Sequence, residues 1–301
     1  MTYDINKYRL TRPGTALGLL ICIFFFCLVL AGLILPAVMG RISNPVAAIR
    51  IATVIQDLLI FIIPAIATAM IVTKLPARLL AIDRGPGLTG TVLAVIVLLV
   101  AVPAINWIVE WNKSWHLPES MAAIETYFRQ LEEAAQATSD MLIKGSSVPG
   151  LIVSVLIVGV LAGFSEELFF RGALQRIMGM TRLNHHAVVW SCAIIFSLFH
   201  LQMFGFVPRM LLGAFFGYLL VWSGSLWLPV ILHITNNSLV VISEYYASEA
   251  QASTASNLST IGSDLSSPAQ IAYLILSVLL TALGIFLLYR HYHARSLAGE
   301  A

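Results

Sequence analysis

Apolar residues fall along this chain in long, nearly unbroken runs separated by short polar punctuation, rather than in the alternation of a half-buried strand or the striping of a soluble amphipathic helix. Runs of about 17 to 25 residues occupy roughly 17–39, 51–73, 88–108, 148–170, 187–204, 207–223, 225–246 and 268–289, each long enough as helix to cross a hydrocarbon core of about 30 Å. The pattern predicts an all-α integral membrane protein with about eight transmembrane helices. Pro64, Pro103 and Pro229 fall inside runs, which membrane helices tolerate because neighbouring groups re-satisfy the freed carbonyl. One segment between runs has a different period. In 119–142, Met121, Ile124, Phe128, Leu131, Ala135 and Leu142 recur at helical spacing and predict an amphipathic helix packed on the bundle or lying in the interface. Its polar side is acidic, which disfavours binding to anionic lipid.

Composition agrees with the pattern: 59% of the 301 residues are hydrophobic and 11% charged, against roughly 25% charged in soluble domains. The balance of +2 has no basic stripe, so nucleic acid is not an expected partner. Cys22, Cys27 and Cys192 all lie inside runs and read as buried free thiols. With eight spans, the cations before the first span (Lys7, Arg9, Arg12), after the second (Lys74, Arg78, Arg84), after the fourth (Arg176, Arg182) and after the eighth (Arg290, Arg295) share one side. The positive-inside rule makes that side cytoplasmic and both termini with it. The acidic segment after the third span and the Ser/Thr-rich stretch at 247–267 then face outward. The first span is long for a signal sequence and has no clear small-residue cleavage site, so it reads as a retained helix.

Against this background "GFSEELFFRGALQ" at 163–175 stands out. A charge at mid-membrane costs about 2.5 to 3.5 kcal/mol on insertion scales, and intramembrane ionisable residues are functional candidates by default. Glu167 and Arg171 are four apart on one helical face and suit an ion pair. Glu166 is turned about 100° away and has no local counter-charge, which suits a general base. "FSLFH" places His200 in the fifth span, and "HITNN" places His233 and Asn237 one turn apart in the seventh. Glu166, His200 and His233 lie at similar depth. A carboxylate, two imidazoles and an amide suffice for hydrolysis by activated water, with donors for an oxyanion, and no Ser, Cys or Lys stands out as a nucleophile.

Each residue also has a plainer reading. A lone intramembrane His packs helices by hydrogen bonding, and Glu167 with Arg171 can be structural. Asp57, Asn106 and Arg209 read as interfacial or snorkelling groups, and His185 and His186 as solvated loop residues. Gly213 and Gly217 form G-x-x-x-G, a close helix approach. Three ligands, Glu166, His200 and His233, would match a catalytic zinc pattern, although no H-E-x-x-H is present. A peptide-binding immunity protein and a proton-relaying transporter are further readings.

E-E-x-x-x-R at 166–171, F-x-x-x-H at Phe196 to His200 and H-x-x-x-N at His233 to Asn237, in that order on successive apolar helices, resemble the CAAX prenyl protease and bacteriocin-processing (CPBP, or Abi) family of intramembrane glutamic endopeptidases. The resemblance covers roughly 146–245. It implies motif helices around a hydrophilic cavity open to the cytoplasm, no cofactor, and a membrane-associated peptide or protein substrate within the lipid bilayer. It implies further that Glu166 activates water with His200, that His233 and Asn237 stabilise the oxyanion, and that Glu167 and Arg171 support them. Eukaryotic relatives cleave after a prenylated cysteine, whereas many bacterial ones are linked to peptide processing, immunity or scaffolding; length and topology here suggest a bacterial plasma membrane. The chain then divides into 1–145 (three spans and the external helix), 146–246 (the catalytic helical core), 247–267 (an external loop) and 268–301 (the last span and a cytoplasmic tail).

Overall fold

The computed structural model describes residues 10–143, 147–249, 261–263 and 265–298. Most of the stretch expected to form the Ser/Thr-rich external loop, and the expected boundary at 145/146, lie outside them. Helix is the dominant structure and no strand occurs among the described residues. In chain order the helices are α1 (Pro13–Met39), α2 (Pro45–Val72), α3 (Pro76–Leu79), α4 (Leu88–Val100), α5 (Val102–Lys113), α6 (Ala122–Ile143), α7 (Val148–Met178), α8 (His185–Phe199), α9 (Phe206–Ser223), α10 (Trp227–Glu249) and α11 (Pro268–Leu297).

Local chemistry sets several of the starts. Asn44, Ser147, Asn184 and Ser267 each accept a hydrogen bond from the amide three residues on, and α1, α2, α7 and α11 carry Pro in their first two positions, where its missing N–H costs nothing. Wider π-turns interrupt α2 at Leu58–Ile62 and α7 at Val155–Leu161 and Leu168–Gln175; such turns recur at functional sites.

By length and apolar composition, five described helices can cross a membrane, or six if α4 and α5, bent by 47°, count as one span. The pattern predicted about eight, and the two helices that fall short have identifiable reasons. Helix α8 has 15 residues, about 22 Å of rise. Helix α10 is long enough, but His233, Asn236 and Asn237 dilute its middle. The predicted amphipathic helix is present as α6, preceded by a single 3₁₀ turn at Glu119–Met121.

Polar contacts mark the two ends of the bundle. At one end the Leu10 amide donates to Val72 O (2.8 Å) and Leu226 N to Ala81 O (2.8 Å), and the Tyr292 hydroxyl donates to Pro86 O (3.0 Å), so both described chain ends lie here. At the other end α6 packs over the turn that joins α8 to α9, with the Arg129 guanidinium 4.0 Å above the Phe204 ring. Between the ends runs an aromatic core that includes Phe24, Phe169, Phe170 and Phe196, whose rings meet at centroid distances of 5.1 to 5.5 Å.

Glycines bring α7 and α9 together. Arg171 Nη2 donates to Gly213 O (3.0 Å) and Gln175 Nε2 to Gly217 O (3.0 Å). A Cβ on Gly217 would stand 2.9 Å from Gln175 Oε1 and one on Gly213 would stand 3.1 Å from Arg171 Nη2. The G-x-x-x-G therefore makes the expected close approach, and the side chains it admits are polar.

Candidate active site

Arg171 and Glu167 are fully buried and joined by a 2.7 Å contact from Nη1 to Oε1. The guanidinium also lies 4.4 Å from the Phe196 ring centroid, a cation–π arrangement that offsets its desolvation. The same Glu167 oxygen accepts from His233 Nδ1 at 2.8 Å. Glu167 thus bridges the E-E-x-x-x-R and H-x-x-x-N motifs. With Nδ1 committed, and the ring held between Phe196 and Phe216 at 5.9 and 5.3 Å, His233 directs Nε2 toward Glu166 Oε2, 3.7 Å away.

Glu166 differs from its neighbour in exposure and in how it is held. Its side chain keeps 15% exposure where Glu167 has none; Oε2 of each glutamate has no hydrogen-bond partner, but only Glu167 is anchored through its other oxygen, by Arg171 and His233. Its charge acts on His200, Arg209 and Asp57. His200 closes α8 and directs Nδ1 at Phe196 O, 3.0 Å away. A carbonyl only accepts, so that contact places a proton on Nδ1 and leaves a lone pair on Nε2.

Asn237 is held further along α10. Its Nδ2 donates to Val158 O on the first π-turn of α7 (3.2 Å), and its Oδ1 accepts from Asn236 Nδ2 (3.2 Å). These contacts use one of the two Nδ2 hydrogens. Glu166, His200 and His233 therefore meet at one locus, with Glu167 and Arg171 behind His233 and Asn237 one turn beyond it.

Three further residues belong to this locus. Asp57 is 3% exposed, which corrects the interfacial reading: α2 starts at Pro45 rather than near 51, so Asp57 lies about 18 Å along the helix. Its place in an apolar run was a signal in the sequence. Arg209, also read as interfacial, lies where it feels the charges of both Glu166 and Glu132 on α6 and donates to the Gln202 side chain. Asn112, fully buried, clamps the turn after His200 by donating to Met203 O (3.3 Å) and accepting from Val207 N (2.9 Å). Nothing in its sequence neighbourhood singles Asn112 out.

The polar chain Glu166, Arg209, Glu132 leads toward α6, the end opposite the described chain ends. Burial pushes the Glu132 carboxyl up, and Arg209 and Arg129 partly offset this. Among the described residues no three His, Cys, Asp or Glu side chains converge in an arrangement that would hold one metal ion. A groove of about 490 Å³ between α2 and α7 is lined by apolar residues with Asn44 and Arg50; none of the motif residues lines it.

Comparison with curated proteins and with solved structures finds no match. A family model does match: type II CAAX prenyl endopeptidase Rce1-like, over residues 148–239. That interval runs from the start of α7 to the turn after Asn237 and so contains all three motifs and the locus they form, and the match supports the resemblance of this part of the chain to the CAAX prenyl protease and bacteriocin-processing family.

Proposed function

We propose that the protein is an intramembrane endopeptidase that hydrolyses a peptide bond of a membrane-associated peptide or protein by water activated at Glu166. The observation that carries this reading is the asymmetry of the glutamate pair: Glu167 Oε1 is held by Arg171 and His233 in a fully buried setting, while Glu166 is partly exposed and its Oε2 makes no hydrogen bond, with His233 Nε2 3.7 Å away. A water between Glu166 and the lone pair of His200 Nε2 would give its proton to Glu166 as its oxygen attacks the carbonyl. His233, 3.7 Å from that carboxylate, would share the proton, so that an Nε2–H and the second Asn237 amide hydrogen would serve the developing oxyanion. The proton then passes to the leaving amine. Direct carboxylate activation needs no Lewis acid, and the scheme uses no cofactor.

The test compares protein termini in membranes containing the wild type or Glu166→Gln. Peptides with new termini should appear with the wild type alone and persist in excess EDTA. Cleavage lost to the chelator and restored by stoichiometric zinc would select three-ligand metal chemistry, and identical termini would select a binding or transport role.

A further inference from the structure

The groove of about 490 Å³ between α2 and α7 takes no part in the scheme above. Both helices start at the end of the bundle covered by α6: α2 packs against α6, and Ser154, in the second turn of α7, donates from Oγ to Leu142 O at the end of α6 (2.6 Å). From Asn44, the N-cap of α2, to Ile55 the groove follows about 16 Å of helical rise. Its two polar residues, Asn44 and Arg50, lie toward the α6 end; beyond them Val54 and Ile55 of α2 stand opposite Val153 and Ile157 of α7. Ile51 and Val153, one from each wall, are exposed, on helices long and apolar enough to cross a membrane. The groove therefore opens on lipid, polar at the membrane boundary and apolar below it.

Arg50 is the unusual member of this lining. Side chains lean toward the N-terminus of their helix, and the guanidinium accordingly reaches the start of α7, where Nη2 donates to Gly150 O (2.9 Å) and Ser154 Oγ (3.2 Å). Both acceptors are neutral. Nε is buried without an acceptor, and among the described residues no carboxylate forms an ion pair with Arg50. A cation beside hydrocarbon without a counter-charge is costly. The fork of an arginine matches phosphate oxygens and bonds them more strongly than it bonds neutral groups.

The dimensions of the groove choose among the anions that a membrane offers. Its volume of about 490 Å³ lies within the range of small-molecule sites, about 300 to 1,000 Å³. A further helix, about 10 Å across, would rest on the groove rather than enter it, and a free anion would leave the apolar length unfilled. A phospholipid carries a phosphate and a flexible chain in the order that the walls require. We propose that the groove is a binding site for one phospholipid, whose phosphate pairs with Arg50 and whose acyl chain lies between Val54 and Ile55 on one side and Val153 and Ile157 on the other.

The test titrates the full-length protein, purified in a non-ionic detergent, with phosphatidylglycerol and counts bound lipid by native mass spectrometry. One lipid per chain should bind in preference to detergent. Arg50→Gln removes the charge and keeps an amide donor, and it should weaken that binding by about tenfold to a hundredfold, the worth of charge-assisted hydrogen bonds. Because Arg50 also ties α2 to α7, a second variant leaves the tie intact: Val153→Trp fills the groove from the opposite wall and should weaken binding by a similar factor with unchanged melting.

Two part-ligands separate the sources of affinity. Diacylglycerol has the chains without the phosphate and inorganic phosphate the reverse, and each should bind at least about tenfold more weakly than the whole lipid. Diacylglycerol bound as tightly as phosphatidylglycerol would take the phosphate off Arg50, and inorganic phosphate bound as tightly would make this an ion site only. Lipid binding untouched by both variants would place the lipid elsewhere on the protein. Each of these three results overturns the proposal. None of the measurements needs a substrate, so they stand apart from the peptidase reading.

Discussion

Two adjacent glutamates acquire different chemistry because successive helical positions are turned about 100° apart. Glu167 points into a closed cage of Arg171, His233 and aromatic rings, and Glu166 points to the side where His200 and Arg209 lie. We predict that Glu166→Gln keeps normal thermal stability and lowers turnover by about 10² to 10⁴ or more. Glu167→Gln should act through the fold, because removing one partner of a buried ion pair costs about 3–5 kcal/mol. Matching turnover losses with unchanged melting in both variants would contradict the division. Asn237→Ala should lower kcat by about 10² to 10³ with KM within about threefold, the pattern of a donor used in the transition state. Asn236 holds the Asn237 amide, so Asn236→Ala should cost part of that loss; a large rise in KM with kcat unchanged in Asn237→Ala would make it a substrate-binding residue. The Glu167–Arg171 pairing was readable from spacing alone, since both ends lie on one helix. The Glu167–His233 contact spans 66 positions and depends on how α7 meets α10, which no local pattern encodes.

Helix α6 is placed by its period, and its stripe is mostly covered. Phe128, Leu131 and Ala135 are half-buried and Leu142 is buried, while Ile124, like Met121 just before the helix, is exposed; Glu125, Arg129 and Glu132 share the covered side. Period reports where the covered face lies, and polar partners such as the turn after His200 add charged residues to it. Glu125 anchors the start of α6. It accepts from the Leu117 amide (2.7 Å) and from Arg129 (2.6 Å), and these contacts, the amide first, hold its carboxyl down at about 2 from an ordinary 4.5. A depressed carboxyl contributes stability that is whole above its ordinary value and is lost as pH falls through the depressed one. Amide hydrogen exchange at the start of α6 should therefore quicken between about pH 4.5 and about pH 2, and Glu125→Gln should exchange fast at every pH and flatten that dependence. An unchanged acid response in the variant would assign the effect to another group. Helix α2 gives the complementary lesson: its apolar run was legible, its start at Asn44-Pro45 was not counted, and Asp57 was consequently placed too near the surface.

At the scale of the whole molecule, two expectations drawn from the sequence pull apart. Charge in the short loops puts both termini in the cytoplasm, and the family resemblance opens the cavity to the same side. In the structure the polar chain from Glu166 through Arg209 to Glu132 runs to the end occupied by α6, away from Leu10 and Tyr292. We predict from the charge rule that a cysteine introduced at Ser263, in a background with Cys22, Cys27 and Cys192 replaced, reacts with an impermeant thiol reagent on intact cells, and that one at Thr181 does not. The site would then open away from the cytoplasm. Labelling at Thr181 alone would turn the molecule over and give the cavity its cytoplasmic mouth.

The short helix α8 bears on the lipid itself. Trp190, Ile194 and Leu198 stay exposed along one side of it, and its rise of about 22 Å falls about 8 Å short of an average hydrocarbon thickness. Acyl chains beside this strip must compress, or headgroups and water must dip to meet the turn that carries His200. Hydrophobic mismatch would thereby thin the bilayer beside the reacting groups, so that a scissile bond near the headgroups travels less far to reach Glu166. Turnover of the reconstituted enzyme should rise as acyl chains are shortened across a series of vesicles, and a rate indifferent to chain length would show that α8 is screened from the bilayer.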